Sequence, residues 1–302
     1  MKNIFIKLGS LDRRIIFIII ALSVLIPLLK PDWINLPVQT TQNTQIVFDE
    51  ISKLALKKES RILVSFAYGA STKPEIHPMV IALLNQLFAS GIKVYVMSLF
   101  PEGVQMSKDA MLKVEESGMF DLEYGIDYVM FDYKVGGEVV IKNLSTDFRS
   151  VYTQDINKKN INSIPMMAGI NSIEDFDYVF DFSAGVPGNQ EWVQYACDPK
   201  NIPLSSGCTS IMVTDAIPYV ESGQIRGILA GMPGAAEYEK LVYEFLISEK
   251  DEGNINILSN AEILPGKATS RMSAQSLAHL IMVLFIILGN LSYYFHIKRE
   301  KQ

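Results

Sequence analysis

The chain has 302 residues, 49% hydrophobic and 20% charged, with a mean hydropathy of +0.19. That is too apolar for a disordered chain and too charged for a polytopic transporter. The net charge is −6, yet residues 1–29 carry +3 and residues 298–302 carry +2, which leaves −11 on residues 30–297. So acidic a body lacks the basic footprint of a nucleic-acid binder, and argues against lying flat on anionic lipid.

Taken in chain order, residues 15–29 (IIFIIIALSVLIPLL) form the first apolar run. It is short for a bilayer core of about 30 Å, but extension to Trp33 approaches the required length. A cleavable signal peptide is the rival reading, although no small-x-small cleavage site follows. The last run, residues 277–297, holds no formal charge and ends in Tyr293 and Tyr294 before Lys298 and Arg299. An aromatic belt followed by cations is a spanning signal. Cations are concentrated in the two tails, while only Lys30, Lys267 and Arg271 flank the opposite ends. This predicts both termini in the cytoplasm. The expected layout is a tail over 1–14, a transmembrane helix over 15–33, an extracytoplasmic domain over 34–272, a second transmembrane helix over 273–297 and a tail over 298–302.

Between the apolar runs, helical and strand patterns alternate. Helices are predicted over 46–57, 75–90, 104–117, 139–148, 191–197 and 235–248, with a short one near 219–222. Strands are predicted over 61–68, 93–100, 128–133, 177–182, 210–213 and 227–229. Residues 152–173 read as a polar loop or lid. Alternation with short connections implies an α/β fold: a doubly wound, mostly parallel sheet flanked by two transmembrane helices.

Four segments carry a resemblance: LDRRIIFIIIALSVLIPLL, ILVSFAYGASTKPEIHPM, ESGQIRGILAGMPGAAEYEKL and SAQSLAHL. With them the chain resembles a family of uncharacterised two-span bacterial membrane proteins. That resemblance implies the layout but no activity. More distantly, residues 15–120 are similar in layout to the auxiliary subunits of gliding-type ABC transporters.

In doubly wound sheets, ligands sit beyond the carboxyl ends of the strands. That rule selects Ser71, Asp181, Ser183, Asp215 and Glu237 as candidate ligand-binding residues. Asp181 and Asp215 end apolar runs, where a carboxylate is costly unless solvated, paired or metal-bound. Two such groups could hold a divalent cation; capping or ordinary solvated charge is the other reading. No nucleotide motif is present, GxSxG fails because position 181 is Asp, and no zinc spacing appears. His77 reads as a capping or surface residue. Cys197 and Cys208 could form a disulfide or be two separate buried thiols. No cofactor and no metal is assigned from the pattern.

The expected function is a membrane-anchored extracytoplasmic binding domain, an accessory or partner-recognition subunit of a membrane complex at the bacterial inner membrane. A membrane-protein partner or a second copy would be its ligand. The alternative is a hydrolase-like or metal-dependent enzyme using acidic residues at the strand ends.

Overall fold

A computed structural model describes residues 12–30, 33 and 37–300, with side chains as far as Tyr294. Of the expected tails, residues 1–11 and 301–302 lie outside the described residues, as do residues 31 and 32 of the expected extension to Trp33. The chain divides into two compact units, one holding the two end helices and the other spanning Val38–Ala268.

In the first unit, α1 covers Arg13–Leu29, and its N-cap Asp12 accepts a hydrogen bond from Arg14 N. Seventeen residues make a helix of about 26 Å, short of a bilayer core. The terminal helix covers Ala268–Glu300. Its stretch Ala268–Tyr294 is the one segment among the described residues that is long and apolar enough to cross a membrane, with a mean hydropathy of 1.9 over 18 of its residues. Both helices expose apolar side chains, among them Phe17, Ile18 and Leu22 on one and Leu280, Leu284 and Ile286 on the other.

The second unit is an α/β domain built on six parallel strands: β1 Arg61–Ala67, β2 Lys93–Ser98, β3 Tyr128–Met130, β4 Tyr178–Ser183, β5 Leu204–Cys208 and β6 Ile228–Ala230. Their order is 3-2-1-4-5-6, so the winding direction reverses between β1 and β4. Strands buried on both faces read as near-continuous apolar runs, as RILVSFA does in β1.

Helices cover both faces. On one lie α2 (Gln42–Ala55), α3 (Lys73–Ala89), α4 (Gly103–Glu116) and the long helix Gly231–Asp251. Gln86 of α3 ties three of them together, donating to Phe48 O and Ser52 Oγ and accepting from Tyr238 Oη. α3 stops at Gly91, whose φ of +65° favours glycine, and Ile92 N turns back to Leu87 O. The other face carries α5 (Glu138–Leu144), α6 (Phe148–Val151), α7 (Asn189–Trp192), α8 (Asp198–Lys200) and α9 (Val213–Glu221). Its core joins Leu63, Tyr95, Val129, Val179 and Leu204 of the sheet to Ile141, Phe148, Trp192 and Ala216 of the helices.

Two expectations change. Residues 152–173 are no lid: Ile161, Ile164, Met166, Met167 and Ile170 are core residues. Tyr95 Oη donates to Met166 O at 2.6 Å, and Arg149 donates to Ile170 O and Met167 O, clamping the segment. The strand expected at 210–213 is instead β5, Leu204–Cys208. The SIMV run enters a turn and then α9, and its Ile211 is exposed.

Candidate functional site at the carboxyl edge

The strand ends meet where the winding reverses. In β4, Asp181 pairs in register with Ser65 of β1 and Ser206 of β5. Partners in register share a face, and alternate residues along a strand return to it. Ser183, two residues on, therefore joins the same face. From above, α7 supplies Asn189 and Trp192. Asn189 Nδ2 donates to Ser206 Oγ at 3.2 Å, and Trp192 Nε1 donates to Ser65 Oγ at 3.2 Å. All six of these residues are fully buried. A π turn over Val193–Cys197 follows Trp192 directly, a feature frequent at functional sites.

Four polar atoms of this cluster have no aligned hydrogen-bond partner: Asp181 Oδ1 and Oδ2, Ser183 Oγ and Asn189 Oδ1. Burial pushes the Asp181 carboxyl up to about 7. Nearby Ser65, Ser183 and Trp192 oppose that rise without aligned bonds, and the Glu191 charge adds to it. The loop Ala184–Gly188 closes over the cluster. Gly188 must be glycine, because a Cβ there would lie 2.7 Å from Ser183 Cβ and from Gly185 O.

Two carboxylates that are not among the expected site residues, Glu102 in the loop after β2 and Glu75, knit the neighbouring loops. Glu102 accepts from Ala70 N at 2.9 Å, and a Cβ at Gly69 would sit 2.0 Å from its Oε2. Glu75 accepts from both Ser210 N and Ser210 Oγ, at 2.8 and 2.7 Å. Gly231, at φ +58°, lets the β6 loop approach the same pair. Their place in sequence was a usable signal: each stands at the start of a helix that follows a strand.

The expected site residues separate. Ser71 is exposed in the turn after β1. Asp181 and Ser183 come together, as described. Asp215 does not join them. It lies exposed in the first turn of α9, because the strand thought to precede it is a turn, and among the described residues no hydrogen bond links it to Asp181. Glu237 is buried elsewhere, accepting from Thr41 N, Thr41 Oγ1 and Thr44 Oγ1 at 2.7–2.9 Å. A carboxylate there satisfies the first turn of α2 and complements its dipole. Cys197 and Cys208 are separate buried thiols, not a disulfide. Burial pushes both thiols up, Cys208 to about 12.

His77 is not a surface residue. It is 4% exposed, with Nδ1 2.8 Å from Tyr68 Oη and Nε2 2.8 Å from Asp109 Oδ2, the latter poorly aligned for a hydrogen bond. Lys73 and Lys113 complete the group on Asp109. Burial, with the charges of Lys113 and Lys73, lowers the imidazole pKa to about 4 despite Asp109, so it is neutral at pH 7.

Around the sealed cluster, three apolar side chains stand out on the edge. Val135, Val186 and Ile211 are 86%, 73% and 87% exposed, one on each of the loops after β3, β4 and β5. The β3 and β4 loops adjoin, since a Cβ on Gly137 would lie 3.7 Å from Pro187 Cγ. No group of three or more His, Cys, Asp and Glu that could hold a metal occurs among the described residues.

No protein-family model, curated protein or solved structure matches this chain.

Proposed function

We propose that the chain is a membrane-anchored α/β recognition subunit of a membrane complex, with the carboxyl edge of its sheet as the recognition face. The observation that carries this reading is the exposure of Val135, Val186 and Ile211 on the loops after β3, β4 and β5, all at the carboxyl edge. Scattered apolar residues are ordinary on a surface; apolar residues gathered on one edge suit a partner. A hydrolytic role is less well supported. Asp181 and Ser183 are fully buried, Asp215 stands apart, and His77 is spent on Tyr68 and Asp109.

Anchoring is by two spans, residues 15–33 and 273–297. Both end helices present apolar surface, and the terminal one is long enough to span. The cation asymmetry puts both tails in the cytoplasm and the domain outside, in the periplasm of a two-membrane bacterium. The partner is another membrane protein or a second copy of this chain.

Photocross-linking in cells tests the recognition face. A photoreactive residue at 135, 186 or 211 should give one common cross-linked product. A residue at 255 should give none, because Ile255 is equally exposed but lies at the opposite edge, beside Ala89 and Gly91. Equal cross-linking at 255 would refute the assignment. Reporter fusions at residue 150 and at the C-terminus test the topology; activity of a cytoplasm-specific reporter at residue 150 would overturn it.

A further inference from the structure

We propose that Asp181, Ser183 and Asn189 bind a small monovalent cation of the alkali-metal class, buried between β1, β4 and β5. Three observations lead there. First, unpaired polar atoms are normally rare in a folded interior, and here four share one cluster, three of them acceptors only: both Asp181 oxygens and Asn189 Oδ1. Second, the nearby side-chain N–H groups are spent on hydroxyls, Asn189 Nδ2 on Ser206 and Trp192 Nε1 on Ser65, so only the Ser65 and Ser183 hydroxyls, neither aligned on an oxygen of the carboxylate, remain beside it. Third, the carboxylate has no cationic side chain for company. The charged neighbour on α7 is Glu191, itself held by Gly188 N at 2.7 Å.

Chemistry narrows the occupant. Carboxylate, amide and hydroxyl oxygens are hard donors and favour hard cations. The thiols Cys197 and Cys208, both pushed up by burial, stay protonated and do not compete as soft ligands. Charge decides valence. One carboxylate neutralises a monovalent ion, whereas a divalent ion would leave a net positive charge in a dry interior, at high desolvation cost. The Ala184–Gly188 loop, with Val186 exposed and Gly188 packed on Ser183, stands between the site and the carboxyl edge.

The test uses the full chain in detergent micelles, unfolded thermally in NaCl, KCl or N-methyl-D-glucamine chloride at equal ionic strength. Ligands that bind only the folded state raise Tm with concentration. Wild type should gain a saturable rise of about 3 °C or more in Na⁺ or K⁺ over the organic cation. The salt giving the larger rise names the ion. Asp181→Asn should abolish the rise. Should Asp181→Asn not fold, Ser183→Ala and Asn189→Ala serve instead, each raising the half-saturating concentration at least five-fold. Identical Tm in all three salts for wild type, or the full wild-type shift retained in these variants, would overturn the proposal.

Discussion

His77 and Asp181 are both buried titratable groups at the carboxyl end of the sheet, on opposite faces, and they are treated differently. His77 is hydrogen-bonded to Tyr68 Oη through Nδ1, and its Nε2, though not aligned for a hydrogen bond, faces the Asp109 carboxylate at 2.8 Å, with Lys73 and Lys113 beyond. Asp181 has no aligned partner and no cation. Engaged buried networks rigidify a fold, whereas an orphaned charge costs stability and persists where something outside the chain completes it. The first arrangement is completed within the chain; the second is the one we propose an ion completes.

The largest effect expected on the Asp181 face comes from its roof. Trp192→Ala should destabilise the domain by about 3–5 kcal/mol, through the cavity and the lost bond to Ser65. Chemical denaturation would read this, and a loss below about 1 kcal/mol would mean the roof can collapse onto the cluster.

The two groups should also titrate in opposite senses. His77 has a folded pKa near 4 against 6.5 unfolded. Its contribution is present above about pH 6.5 and is lost as pH falls toward 4. Asp181 has a folded value near 7 against 3.8. Its contribution is present below about pH 3.8 and is lost as pH rises through 7. Each is on the order of 3 kcal/mol. In buffer free of alkali metal, the wild-type profile between pH 4 and 7 should therefore be nearly flat. Asp181→Asn should unmask a rise in stability with pH, and His77→Leu a fall. Parallel slopes in the two variants would erase the distinction.

At pH 8, without alkali metal, His77→Leu should cost about 2–3 kcal/mol, because Tyr68 Oη is left buried without its partner. A Tyr68→Phe, His77→Leu double-mutant cycle should show that the two losses are coupled. Asp181→Asn under the same conditions should stabilise. A smaller effect, about 1–2 kcal/mol, is expected from Glu237→Gln, which keeps the shape of the α2 cap but removes its charge. Smallest of all, Val186→Ser with Ile211→Ser should change stability by less than about 0.5 kcal/mol while abolishing the cross-linked product, since both side chains face solvent.

Much of the fold was legible because its signals are local. The expected elements at 61–68, 75–90, 93–100 and 104–117 match β1, α3, β2 and α4 to within two residues. Apolar runs, helical periodicity and the closing Gly91 and Gly118 need no knowledge of the rest of the chain. β5 was illegible for the opposite reason. LSSGC looks like a loop, yet it is a buried central strand. Its serines are admitted because distant groups satisfy them: Tyr178 Oη pairs with Ser205 Oγ at 2.8 Å, and Asn189 with Ser206. Conversely, the apolar SIMV reads as a strand, and its Ile211 ends up in solvent.

By itself the sequence determined the alternation of strands and helices, the two apolar ends, the acidic body and the rule that any site lies at the strand ends. These follow from composition, period and chain length. Only the tertiary structure decided which carboxylates matter. It set Asp181 in register between Ser65 and Ser206 and removed it from water. It left Asp215 exposed on a helix and gave Glu237 to the cap of a helix nearly two hundred residues away in sequence. A carboxylate's role depends on its solvation and partners, and these come from segments that the chain brings together only when the sheet closes.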